Sequence, residues 1–87
     1  MKQIKLNENE YKYLIQSEYI PSRLITVIKS SNKINKEKHL LNISEDDADQ
    51  LRDLFGEQLQ LYGFDLNYKL TNEGEMLENL IDLFFID

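Results

Sequence analysis

Between Ser44 and Phe84 the chain carries two apolar stripes at helical spacing, each introduced by a hydroxyl side chain and separated by a short loop. Few arrangements satisfy that pattern other than two antiparallel helices. Ser44 precedes Glu45, Asp46 and Asp47, a cap followed by carboxylates at the positive end of a helix dipole. Leu51, Leu54, Phe55, Leu59 (or Gln58) and Tyr62 then recur on one face. Gly63 follows, where many helices close on a left-handed residue, and Phe64 stands where it can fold back on Leu59. After a loop from Asp65 to Leu70, Thr71 supplies a second cap, and Leu77, Leu80, Ile81 and Phe84 form the second stripe. The spacing predicts helices over 45–62 and 72–84, joined as a hairpin.

The front half is read from shorter signals. Ile4 and Leu6 alternate with Lys5, as in a strand. Asn7 and Glu10 have the spacing of a reciprocal capping box, and Leu6 and Tyr11 that of a hydrophobic staple. Tyr11, Leu14, Ile15 and then Glu18 or Tyr19 continue the stripe, which predicts a helix over 8–18. Pro21 ends it, because proline lacks an N–H and restricts the residue before it. Residues 21–29 fit a helix with Pro21 at its first position and Ile20, Leu24, Val27 and Ile28 on one face. The β-branched run Leu24–Ile28 also suits a buried strand; the proline tips the reading to helix. Residues 29–38 read as a polar, lysine-rich connection. His39, Leu41 and Ile43 alternate as a strand that pairs with residues 2–6, the histidine half-exposed.

The expected class is α+β. A two-stranded sheet, three-stranded if 24–28 is extended, packs against helices in the order β-α-α-β-α-α, with the C-terminal helical hairpin last. A length of 87 residues implies a single domain, 1–87, of thin stability, roughly 3–6 kcal/mol. The chain has no cysteine, so neither disulfides nor thiolate chemistry are available. The opening MKQIKLNENE has no apolar stretch of a signal peptide, and the longest apolar run, Leu83–Ile86, is far below a membrane span. The expected location is the cytoplasm, without membrane association.

Charge is divided along the chain. Residues 1–40 carry eight Lys/Arg against four Glu, a sum of +4, and residues 41–87 carry Arg52 and Lys69 against twelve acids, a sum of −10. Such a split points either to a charged partner or to attraction between the halves within one fold.

Motifs for chemistry are scarce. A calcium loop starting at Asp47 would place Leu51 at its fifth position and Arg52 at its sixth. One starting at Asp65 would place Lys69 at the fifth and Met76 at the twelfth, so both fail. His39 is the one histidine and has no cysteine or second imidazole to share a metal. Ser17, Ser22, Ser30 and Ser31 have no identifiable activating base, and Gly56, Gly63 and Gly74 form no phosphate loop. No enzyme, cofactor or metal is expected.

Two charged surfaces remain. Arg23, Lys29, Lys33, Lys36 and Lys38 could meet phosphates, but no aromatic lies between Tyr19 and Phe55 to stack on bases. The acidic alternative is better defined. Glu45, Asp46, Asp49, Asp53 and Glu57 fall away from the apolar stripe of the first helix, and Glu78 and Asp82, with Glu75, fall away from that of the second. Like-charged ridges of this kind speed capture of a basic partner. In size and charge, though in no motif, the chain resembles small inhibitors of nucleases, including immunity proteins that neutralise bacterial toxins. The expected function is therefore a non-enzymatic protein-binding domain of that type. Glu45, Asp46, Asp49, Asp53 and Glu57 form its contact ridge, and Glu78 and Asp82 support it. The alternatives are a nucleic-acid-binding regulator using residues 23–38, or an assembly subunit that forms homodimers through a strand edge or Phe85, a residue otherwise expected in the core.

Overall fold

A computed structural model describes residues 1–85. The order is β1 (Lys2–Asn7), α1 (Glu8–Gln16), α2 (Ser22–Lys29), β2 (Asn32–Asn35), β3 (Lys38–Ile43), α3 (Glu45–Tyr62) and α4 (Asn72–Leu83). The fold is α+β: a three-stranded antiparallel sheet in the order β1-β3-β2, with the C-terminal helices α3 and α4 packed as a hairpin.

β1 and β3 pair as their alternation requires. Ile4 lies opposite Leu41 and Leu6 opposite His39, so the apolar side chains of both strands share the face that the helices cover. α1 begins on the expected capping box: the Glu10 N–H donates to Asn7 Oδ1 at 2.7 Å and the Asn7 N–H to Glu10 Oε1 at 2.8 Å. α1 ends at Gln16, two residues before the predicted limit.

Residues 22–29 are helical. Leu24 and Ile28, one turn apart, are fully buried, and the Pro21 carbonyl accepts from the N–H groups of Leu24 and Ile25. Pro21 stands at the cap itself, with ψ of 146°, one residue outside the helix. The third strand is therefore not 24–28 but 32–35, inside the stretch read as a connection. β2 is a four-residue edge strand with every residue exposed. Having no buried face, it carries no alternation, and backbone bonds to β3 hold it, with a register shift between Lys33 and Asn35.

The acidic half follows its predicted spans closely. Ser44 Oγ caps α3 by accepting from the Asp47 N–H, and Thr71 Oγ1 caps α4 by accepting from the Gly74 N–H. Ala48, Leu51 and Phe55 of α3 and Leu77, Leu80 and Phe84 at α4 join Ile4, Leu6, Leu14, Leu24, Ile28, Leu41 and Ile43 in one core. Phe55 and Phe84 meet edge to face at 5.3 Å.

The close of α3 departs from expectation. Gly63 is right-handed, with φ of −79°, and Phe64 is 45% exposed instead of folding onto Leu59. Glycine is needed here for proximity: a Cβ on Gly63 would overlap Leu59, and one on Gly74 would overlap the Gly63 carbonyl. Tyr62, expected in the buried stripe, is 59% exposed, because the last turn of α3 runs past the core. Phe85, expected in the core, is equally exposed. Phe84 takes the core position, and the Arg52 guanidinium lies over the outward Phe85 ring at 5.0 Å. Ile86, part of the apolar tail, lies outside the described residues.

Candidate protein-binding surface

α3 and α4 present their acids outward because their apolar residues are committed to the core. On α3, Asp49, Asp53 and Glu57 follow at four-residue steps, with Glu45 and Asp46 starting the line, directly opposite Ala48, Leu51 and Phe55. On α4, Glu78 and Asp82, one turn apart, are exposed beside the buried face of Leu77, Leu80 and Phe84. All seven predicted contact residues are exposed. They form two ridges, one on each helix, and among the described residues no ion pair or hydrogen bond links one ridge to the other.

Attraction between the halves of the chain accounts for little of this charge. Among the described residues, Arg23 to Asp47, at 3.0 Å, is the one ion pair joining the basic front to the acidic back; Gln50 accepts a second bond from the same guanidinium. Asp49 pairs locally with Arg52 at 3.4 Å. No salt bridge reaches Glu45, Asp46, Asp53, Glu57, Glu78 or Asp82 among those residues. The base collects on the sheet instead: Lys2, Lys5, Lys33, Lys36 and Lys38 lie on the strands and their turn, with Glu37 the one acid there. The molecule is polarised, with a basic sheet and an acidic helical hairpin.

Between α3 and α4 the chain forms something that reading 65–70 as a short loop did not anticipate. Residues 61–70 are a tight, apolar projection. Phe64 and Leu70 form an isolated antiparallel bridge. Asp65 ties the turn together, its carboxylate accepting from the N–H groups of Asn67 and Lys69 and its carbonyl from that of Tyr68. The tip exposes Leu66 at 99% and Tyr68 at 88%, and Leu61 at 70% stands at its base. Tyr68 has φ of +60°, a left-handed conformation uncommon for a bulky residue. A signal was present in the sequence: Tyr62, Phe64, Leu66, Tyr68 and Leu70 alternate strictly. Treating 65–70 as a plain loop concealed it.

Two buried polar groups, by contrast, are structural. Glu10 is 4% exposed; besides its capping bond it accepts from Asn79 Nδ2 at 2.5 Å, which ties α1 to α4. His39, expected half-exposed, is 5% exposed because α1 covers it: its Nε2 meets Glu8 Oε2 at 2.7 Å. That hydrogen bond is the main reason the Glu8 carboxyl is held below its usual range. Among the described residues no three histidine or acidic side chains converge as metal ligands would, and no helix is long and apolar enough to cross a membrane. Comparison of the chain with protein-family models, with curated proteins and with solved structures gave no match.

Proposed function

We propose that this chain is a non-enzymatic protein-binding domain, a small acidic inhibitor of the immunity type that occupies a basic surface on its partner, such as a toxin or nuclease. The observation that carries the reading is the exposed apolar 61–70 turn at the end of a hairpin whose two helices each carry an outward acidic ridge. Protein interfaces combine these elements: charge that steers the encounter and a few large apolar side chains that hold the complex. Burying Leu66 and Tyr68 would contribute about 1.5–3 kcal/mol each before docking costs. The acid carried by the two helices selects the partner's chemistry. It repels nucleic acid phosphates and a second copy of the same hairpin, and it favours a surface rich in lysine and arginine.

The test is to isolate a basic partner at low salt and measure association with the purified chain. The rate should fall steeply as salt rises. Asp49→Lys with Asp53→Lys should slow it by about tenfold or more at low salt, while Leu66→Asp should chiefly speed dissociation. Unchanged binding by the charge-reversed chain would sink the proposal.

A further inference from the structure

The end of α1, the connection to α2 and the junction of α3 with α4 enclose an open cleft of about 650 Å³. None of the seven ridge carboxylates lines it. Its walls include three phenols (Tyr13, Tyr19 and Tyr62), two carboxylates (Glu18 and Glu73) and the Gln58 amide, with no lysine or arginine among them. The Tyr13 and Tyr19 rings form a corner, with centroids 6.5 Å apart and planes 57° from parallel. Their hydroxyls are 3.0 Å apart, and the Tyr13 O–H donates to Glu73 Oε2 at 2.8 Å. Tyr19 therefore donates to Tyr13, and the chain of hydrogen bonds ends on a carboxylate. Burial first, then the bonds with Tyr19 and Glu73, push the Tyr13 phenol far above its ordinary range, so its hydroxyl remains a donor to Glu73. Among the described residues, no ion pair neutralises Glu18 or Glu73.

Aromatic faces at an angle, uncompensated carboxylates and amide acceptors are what a desolvated organic cation requires. The ring faces attract it through their quadrupoles, and the carboxylates supply charge and hydrogen-bond acceptors. An anion would be repelled, and a neutral ligand would leave the carboxylates uncompensated. We infer that this cleft receives the guanidinium or ammonium head of an arginine or lysine side chain presented by the partner. The identity of the donor rests on the proposed function, whereas the cleft's preference for a cation does not. Tyr62 belongs to both the cleft and the base of the apolar projection, so a side chain seated here would lie beside the proposed docking surface.

The experiment uses the whole chain and three defined probes: N-acetylargininamide, its neutral citrulline counterpart and methylguanidinium. Binding is followed by chemical-shift changes of the Tyr13 and Tyr19 rings. The expected result is saturable binding of N-acetylargininamide in the millimolar range, none by the citrulline compound, and weaker binding of methylguanidinium. Glu73→Gln and Glu18→Gln should each weaken binding by about fivefold. Glu18 is exposed and makes no hydrogen bond through its side chain among the described residues, so its variant decides the matter should loss of Glu73 disturb the fold. Asp49→Asn with Asp53→Asn should leave binding unchanged, which separates this site from the ridge. Equal binding of the citrulline compound, or loss of binding in the ridge variant, would overturn the inference. Tighter binding of methylguanidinium would overturn its assignment to a side chain.

Discussion

The imidazole of His39 lies flat against the ring of Tyr11, with centroids 3.9 Å apart and planes within 4° of parallel. The stack joins the central strand to α1, and Glu8, on the first turn of that helix, closes the arrangement by meeting the His39 Nε2. A strand residue that local pattern makes half-exposed is thereby enclosed between a ring and a carboxylate.

This arrangement makes part of the stability pH-dependent. The Glu8 carboxyl lies below its ordinary value of 4.5, first because of the hydrogen bond with His39 and further through the charges of Lys33, His39 and Lys12, against an opposing desolvation. A depressed carboxyl contributes stability that is fully present above its unfolded value and is lost as pH falls through the folded one. Urea midpoints of the wild type and Glu8→Gln should therefore differ at about pH 5 and converge as pH falls further. A difference of the same size at every pH would contradict the assignment.

Glu10 and Asn79 offer a second measurement. The buried carboxylate divides its oxygens between the Asn7 N–H and the Asn79 amide. Asn79→Ala should cost about 1–3 kcal/mol, since it leaves one buried oxygen short of a donor. Glu10→Ala removes the capping bond as well and should cost more. In a double-mutant cycle by chemical denaturation the pair should couple by about 0.5 kcal/mol or more; additivity would show that the contact carries no stability.

The glycines of the helical hairpin should respond in opposite directions. A Cβ on Gly56, in the middle of α3, meets nothing within 4 Å, so Gly56→Ala should stabilise by about 0.5–1 kcal/mol through helix propensity. A Cβ on Gly74 runs into the backbone carbonyl of Gly63, which cannot yield as a flexible side chain does. Gly74→Ala should destabilise by about 2–3 kcal/mol. Thermal and denaturant melts of the two variants check both signs.

The tip of the 61–70 projection should be dispensable for folding. Tyr68 is almost wholly exposed at a left-handed φ, so Tyr68→Gly should relieve about 1 kcal/mol of strain, and Leu66→Asp should leave stability within about 0.5 kcal/mol. The same substitutions should weaken capture of a basic partner. A large loss of stability in either would show that the tip serves the fold.

Much of the architecture was legible before any tertiary contact. The Asn7–Glu10 box, the Ser44 and Thr71 caps and the helices read over 45–62 and 72–84 are local signals; the structure has the box and both caps, and the two helices to within a residue, although Tyr62 leaves the buried stripe. The seven acids were legible as outward-facing for the same reason: a helix that commits one face to the core determines what lies on the other. β2 was missed because an edge strand exposed on both sides has no hydrophobic period to detect. The aromatic projection was missed because alternating apolar residues in a short connection do not reveal whether anything packs on them.

What the sequence by itself determined, then, is the set of helices, their caps and the separation of acid from base along the chain. These depend on hydrogen bonds and periodicities that span only a few residues. Tertiary structure decided the rest: that β2 pairs with β3, that His39 is enclosed by α1, that Gly63 and Gly74 touch, and that Leu66 and Tyr68 stay in water. Each of those outcomes depends on which distant surface arrives alongside, a question of packing that no short window of residues contains.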